Sequence, residues 1–372
     1  MKTIVVSAVN LKVGGTLTVL RDCLRYLSTL AEAGDYRIVA LVHRKELALF
    51  PNIEYMEMQW TKKNWLNRLW CEYVTMRRIS VTLSPVYLWL SLHDTTPNVL
   101  AEKRAVYCHN SFPFYKWKMR EWLFAPKIVM FALFSKYVIR KNIRKNTYVV
   151  VQQEWMKKKF IQMFGLQKES IIIAPPSFSF FEEKDNSVST DVLDRKEYSF
   201  LFASAPDSHK NFECICQAAE ILKEQFGEKD FKVYLTIKGN ENTYTKWLFR
   251  KWGKGIPNVK FIGYLDKKSL YEYYDTCRCL IFPSKVETWG LPITEFAAFN
   301  KPMLLADLPY AHETASGCCK VAFFDPDDPQ ELATQMKKLI QGGDCFLTTP
   351  EKKEIPPPVA WSWQELFDIL LK

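Results

Sequence analysis

The sequence predicts an α/β protein built from two doubly wound parallel sheets, each flanked by helices. Three observations lead there. Short apolar runs alternate with amphipathic stretches, the pattern of parallel strands joined by crossover helices. The alternation stops at Pro175-Pro176 and a polar stretch, then begins again. Charge divides at the same place: residues 1–176 hold 27 Lys and Arg against 12 Asp and Glu, the remainder 24 against 29. Halves of opposite sign suggest two domains with different partners.

In the first half the strand candidates are Thr3–Val9, Tyr36–Val42, Asn52–Met58, Val86–Leu92, Arg104–Cys108, Thr147–Gln152 and Ser170–Ala174. Leu17, Leu20, Cys23, Leu24, Leu27 and Leu30 share one helical face between the first two. After the polar stretch, strands are expected at Ser199–Ala203, Phe231–Ile237, Val259–Ile262, Arg278–Phe282, Pro302–Leu305 and Cys319–Phe323. Helices are expected at Asn211–Phe226, Asn242–Trp252, Lys267–Thr276, Pro292–Phe299 and Asp328–Ile340, and a terminal amphipathic one from Trp361 to Leu371 with Ser362 as N-cap. The expected division is a first domain over 1–176, a linker over 177–197, a second domain over 198–355 and a terminal helix over 356–372 that crosses back to the first domain. Two Rossmann-like domains facing one another leave a cleft where the carboxyl ends of their strands meet.

Composition narrows the class. Hydrophobic residues are 48% and charged residues 25%, as in a globular chain. No apolar stretch reaches the roughly 20 residues of a membrane span, and the start does not read as a signal peptide. A cytoplasmic protein is expected. The ten cysteines fall largely in apolar runs, as reduced core thiols do. Pairs separated by one residue or none do not suit zinc, so no metal is expected. Asp325-Pro-Asp327 lies after the last strand and reads as a turn before a helix.

Glu287-Thr-Trp-Gly-Leu-Pro-Ile-Thr-Glu295 is the most informative stretch. Gly290 permits a tight turn, and Pro292 suits the first helical position. A helix start offers unpaired amides to an anion, with a carboxylate on either side for a hydroxyl-bearing ring. On residue types alone, a surface loop and a capped helix fit equally well.

In context, Phe282-Pro-Ser-Lys-Val-Glu-Thr-Trp-Gly-Leu-Pro-Ile-Thr-Glu295, with the apolar strand before it and Ala-Phe-Asn-Lys-Pro-Met-Leu-Leu305 after it, resembles the Glu-x7-Glu signature of retaining family 4 glycosyltransferases of GT-B fold. The resemblance implies that Glu287 contacts the transferred sugar, Glu295 the nucleotide ribose, and the amides around Gly290 and Leu291 the diphosphate. It further implies that Gly14 and Gly15 close over the donor phosphates and that His109, at the end of the fifth strand, contacts the donor sugar. As residues alone, the glycines also fit a structural turn, and a lone histidine a structural role.

Within Ser204-Ala-Pro-Asp-Ser-His-Lys-Asn211, Lys210 matches the family's phosphate-neutralising lysine. Ser204 stands where the family usually has arginine, so Lys12, His209 or another donor must compensate. Asn211 is a candidate cap for the next helix. Gly239, Tyr264 and Leu265 fall where the family holds the nucleobase; ordinary turns fit them as well.

The function implied is transfer of a hexose from a nucleotide-diphosphate sugar to a glycan or lipid-linked glycan with retention, in bacterial surface polysaccharide synthesis. No metal or other cofactor is expected. A silent nucleotide-sugar-binding scaffold and a nucleotide-sugar epimerase remain alternatives. Basic residues from Lys116 to Lys159, interleaved with Trp117, Trp122, Phe124, Phe131 and Phe134, fit either a solvated helical face or docking on an anionic membrane surface. No recognition motif for nucleic acid accompanies them.

Overall fold

The computed structural model describes residues 1–12, 14–62, 64–176 and 197–372. Apart from residue 197, the expected linker lies outside them. Two all-parallel sheets organise the chain. In the first are β1 (Lys2–Ala8), β2 (Tyr36–Val42), β3 (Ile53–Glu57), β4 (Val86–Ser91), β5 (Lys103–Tyr107), β6 (Tyr148–Val151) and β7 (Ile171–Ile173), in the order β3-β2-β1-β4-β5-β6-β7. In the second are β8 (Tyr198–Phe202), β9 (Phe231–Leu235), β10 (Val259–Phe261), β11 (Cys279–Phe282), β12 (Met303–Ala306) and β13 (Val321–Phe324), in the order β10-β9-β8-β11-β12-β13. Each order reverses direction once, between β1 and β4 and between β8 and β11. In such sheets ligands bind outside the carboxyl ends of the strands at that reversal.

The first sheet is covered on both faces, which is why its strands are continuous apolar runs. On one face Ile4, Val6, Leu88 and Leu90 pack with Leu20, Leu24 and Leu27 of the helix Gly14–Glu32 and with Leu366, Phe367 and Leu370 of the terminal helix Trp363–Leu371. On the other, Val5, Val39, Leu41 and Trp89 pack with Cys71 and Met76. The terminal helix is capped as its sequence suggests: the Ser362 hydroxyl accepts from the Glu365 amide at 3.1 Å. Tyr87 donates its hydroxyl to the Leu371 carbonyl at 2.6 Å. In the second sheet Phe202 packs against Phe212 and Phe282, with ring centroids 4.7 and 5.6 Å away.

Two expectations need correction. Residues 1–113, 134–176 and 355–372 form one compact unit, but 114–133 belong to the other with 197–354. Arg120 pairs with Glu213 at 2.9 Å, Lys118 with Asp327 at 2.8 Å, and the Phe124 ring lies 4.9 Å from that of Trp247. The basic stretch Lys116–Lys159 thus spans a boundary between units. Its residues divide between two units, and several are tied to carboxylates. The helix expected over Asn242–Trp252 is also interrupted: α-helix Thr243–Leu248 runs into a π-helical turn, Phe249–Gly253. All ten cysteines are free thiols, seven of them buried.

Candidate active site

The carboxyl ends of β8 and β11 meet at the reversal of the second sheet. Beyond β8 the Ser204 amide donates to Thr236 Oγ1 at 2.9 Å, fixing the exit of the strand. A short turn, Ser208–Lys210, leads to Asn211, which sits at φ +62°. Asn211 does not cap the following helix with its side chain. Its amide donates instead to the carbonyls of Pro283 (3.2 Å) and Pro326 (2.7 Å), joining the loops beyond β11 and β13. The Lys285 amide donates to the His209 carbonyl at 2.9 Å. These bonds bring the two loops side by side.

They place Lys210 against Glu287. Lys210 Nζ lies 2.5 Å from Glu287 Oε1, with the two side chains 15% and 14% exposed. Nearby, burial raises the Asp207 pKa against the attraction of Lys210, and Glu287 raises it further. Burial, and secondly Lys210, push His209 well below the usual histidine range.

Gly290 has φ +92°, and a Cβ there would stand 3.1 Å from Ile293 Cδ1. Glycine fits both the backbone and the space. The helix Leu291–Ala297 starts one residue before Pro292, so Pro292 is not its first residue. Trp289 Nε1 bonds Thr294 Oγ1 at 2.9 Å and pins the loop to the helix. Glu295, one turn in, accepts from the Tyr274 hydroxyl at 2.9 Å. Burial raises its pKa, opposed by Tyr274 and Lys267.

At the end of β9 the Gly239 amide is already engaged. Glu241 accepts from the amides of Lys238, Gly239 and Asn240 at 2.5, 2.9 and 3.1 Å. Beyond β10, Tyr264 is 86% exposed and Leu265 is half-buried.

In the first unit, Gly14 opens its helix at φ +65°, where a Cβ would meet no atom within 4 Å, and Gly15 follows it; both are exposed. His109 stacks on Tyr107 at 4.5 Å. Its amide donates to Asp94 Oδ1 at 2.5 Å, while its Nε2 is buried with no protein partner among the described residues. Burial lowers the imidazole pKa to about 4 and raises that of Asp94 to about 6.

Sequence reasoning missed a polar cluster at the reversal of this sheet. Arg68 Nε bonds Glu72 Oε1 at 2.9 Å, and its Nη2 bonds the His93 carbonyl at 3.2 Å. His93 Nε2 contacts Ser7 Oγ at 3.1 Å, and the same hydroxyl accepts from Trp89 Nε1. Glu72 and His93 are each 1% exposed. Burial lowers the His93 pKa to about 4. Glu72 sits in a π-helical turn, Cys71–Thr75, a distortion frequent at functional sites. The Arg68-x3-Glu72 spacing was the available signal.

Among the described residues no three His, Cys, Asp or Glu side chains are grouped to hold a metal ion. No helix there is long and apolar enough to cross a membrane.

Residues 183–352, which include Ser204, Lys210, Glu287 and Glu295, match the family model "Glycosyl transferases group 1". Over that stretch the chain is similar to the group 1 glycosyltransferases. The O-antigen chain mannosyltransferase RfbU of Salmonella typhimurium is 20% identical over 274 residues, covering 72% of this chain and 69% of its own. Among solved structures, Anabaena Alr3699/HepE in complex with UDP and glucose superposes with TM-score 0.63 at 15% identity, covering 92% of this chain and 90% of that one. A glycosyltransferase from Rickettsia africae gives TM-score 0.64 at 17% identity, with 92% and 89% covered. These two likenesses show that the chain has the GT-B fold.

Proposed function

We propose that the protein is a glycosyltransferase that moves a hexose from a nucleotide-diphosphate sugar to a hydroxyl of a glycan or lipid-linked glycan, with retention of anomeric configuration, in bacterial surface polysaccharide synthesis. The observation that supports the reading is the Lys210–Glu287 pair at the reversal of the second sheet. Loss of a sugar from a diphosphate leaves positive charge at the anomeric carbon and negative charge on the leaving group. Lys210 holds the diphosphate, together with the amides around Gly290 and Leu291; such preorganised donors are usually the largest catalytic contribution. Glu287, released from Lys210 by the incoming phosphate, accepts from hydroxyls of the sugar. Glu295 holds the ribose, Ser204 stands at the diphosphate, and Gly239, Tyr264 and Leu265 border the nucleobase. The resemblance also gives Gly14 and Gly15 a role toward the phosphates and His109 a role toward the sugar. The acceptor oxygen bonds to the anomeric carbon as the phosphate oxygen leaves from the same face and takes the acceptor's proton. This scheme uses no metal.

Because several relatives are named O-antigen chain mannosyltransferases, GDP-mannose is the donor to test first, beside UDP-sugars. A glycan acceptor should gain one hexose, with the donor's anomeric configuration kept in the product by NMR. If donor turnover survives unchanged in both Lys210→Ala and Glu287→Ala, the site is misassigned. A native-state thermal shift with the nucleotide sugar but no turnover favours the silent scaffold.

A further inference from the structure

The helical stretch of the first unit formed by Trp65–Trp70, Cys71–Thr75 and Met76–Thr82 has apolar residues on two opposed sides. Cys71 and Met76 are fully buried in the core. Leu66, Leu69, Trp70, Tyr73 and Val74, spaced i, i+3, i+4, i+7 and i+8, form a second stripe. A helix apolar on both sides has something else to cover it. With Tyr137, Val138 and Lys141 this stripe lines a groove of about 530 Å³, the size of a small-ligand pocket. Leu66 is 73% exposed, Trp70 57% and Tyr137 58%, so the groove opens onto an apolar surface patch. The Tyr73 hydroxyl is buried there without a hydrogen-bond partner among the described residues.

Charge narrows the occupant. Between Glu57 and Asp94 the only acidic residue is Glu72, and between Glu121 and Glu154 there is none. Glu72 is buried and paired with Arg68. The two segments that line the groove therefore expose cations and no carboxylate. Lys141 stands 4.1 Å from the Tyr73 ring centroid, and Lys136 stands 5.0 Å from that of Tyr137. A protein partner with an acidic patch does not require a groove of this apolar depth. An anionic bilayer matches both features: its headgroups meet the lysines, and a chain fills the groove between interfacial aromatics.

We infer that this groove is an anionic-lipid docking site, taking one lipid chain between Trp70 and Tyr137 with the headgroup phosphate at Lys141. It sharpens the lipid-linked acceptor reading above, but its test needs no sugar transfer, so the two can fail separately.

The full chain should cosediment with phosphatidylcholine–phosphatidylglycerol vesicles, be released by salt, and leave pure phosphatidylcholine vesicles unbound. Leu66→Ser and Trp70→Ser should each lower partitioning about tenfold, from the loss of buried apolar area. Lys141→Gln should lower it about fivefold. Lys158→Gln with Lys159→Gln, outside the groove, should leave it unchanged. Leu66 and Lys141 are surface positions, so these two variants decide the matter if Trp70→Ser does not fold. Equal binding to both vesicle types, no binding by the parent chain, or groove variants that sediment like the parent would each overturn the inference.

Discussion

The two sheets reverse in the same strand order, yet the residues at their two reversals are arranged in opposite ways. At β1 and β4 the polar groups are closed on one another: Arg68, Glu72, His93 and Ser7 form a network in which the carboxylate and the imidazole are almost wholly buried. At β8 and β11 a single lysine and a single glutamate meet and keep some exposure. A closed network holds a loop. A lone pair can exchange one partner for a ligand. The same topology thus carries a closed network in one unit and a lone ion pair in the other.

Four measurements test this contrast, taken from the largest expected effect. Lys210→Ala should lower transfer by about 10²–10³-fold, the cost of losing one preorganised donor, with little change in Tm. Should it unfold the protein instead, the second reversal is structural too. Glu72→Ala should do the reverse. Removing one partner of a buried pair costs about 3–5 kcal/mol, read as a lower denaturant midpoint; a midpoint within error of the parent would mean the network is not closed.

Acid should act on the first unit. His93 and His109 have folded pKa values lowered to about 4, below the roughly 6.5 of the unfolded chain, so the unfolded state binds more protons between those limits. Their contribution is complete above about pH 6.5 and is lost as pH falls toward 4. Asp94, raised from 3.8 to about 6, works in the opposite sense, with stability lost as pH rises between those two values. Two histidines against one aspartate predict a falling Tm below about pH 6.5, and His93→Gln should flatten that slope. The smallest effect belongs to Gly290→Ala, about 1–3 kcal/mol for a left-handed position, with a larger loss of transfer than of stability because the loop carries Glu287.

Much of the fold was legible because parallel strands buried on both faces leave apolar runs with sharp ends. Tyr36–Val42 and Lys267–Thr276 occupy the spans expected of them. What escaped depended on partners distant in the chain. Asn211 reads as a cap by residue type, but the carbonyls it serves belong to Pro283 and Pro326. The run around Lys118 and Arg120 reads as solvated charge until Asp327 and Glu213 are brought to it. At the candidate site, the glutamates and Lys210 stand out through family spacing. The role of Asn211 and Thr236 in holding the loops does not, since neither shows itself without three-dimensional neighbours.

The terminal helix also bears on synthesis at the ribosome. Tyr26 and the leucines of the first long helix form one side of a seat whose other side is Phe367 and Leu370, and these emerge only after residues 197–354 have been made. The nascent first unit therefore waits, with part of its apolar surface bare, through the making of the whole second unit. A chain cut before Trp363 would make that wait permanent, and a chaperone would become its lasting cover.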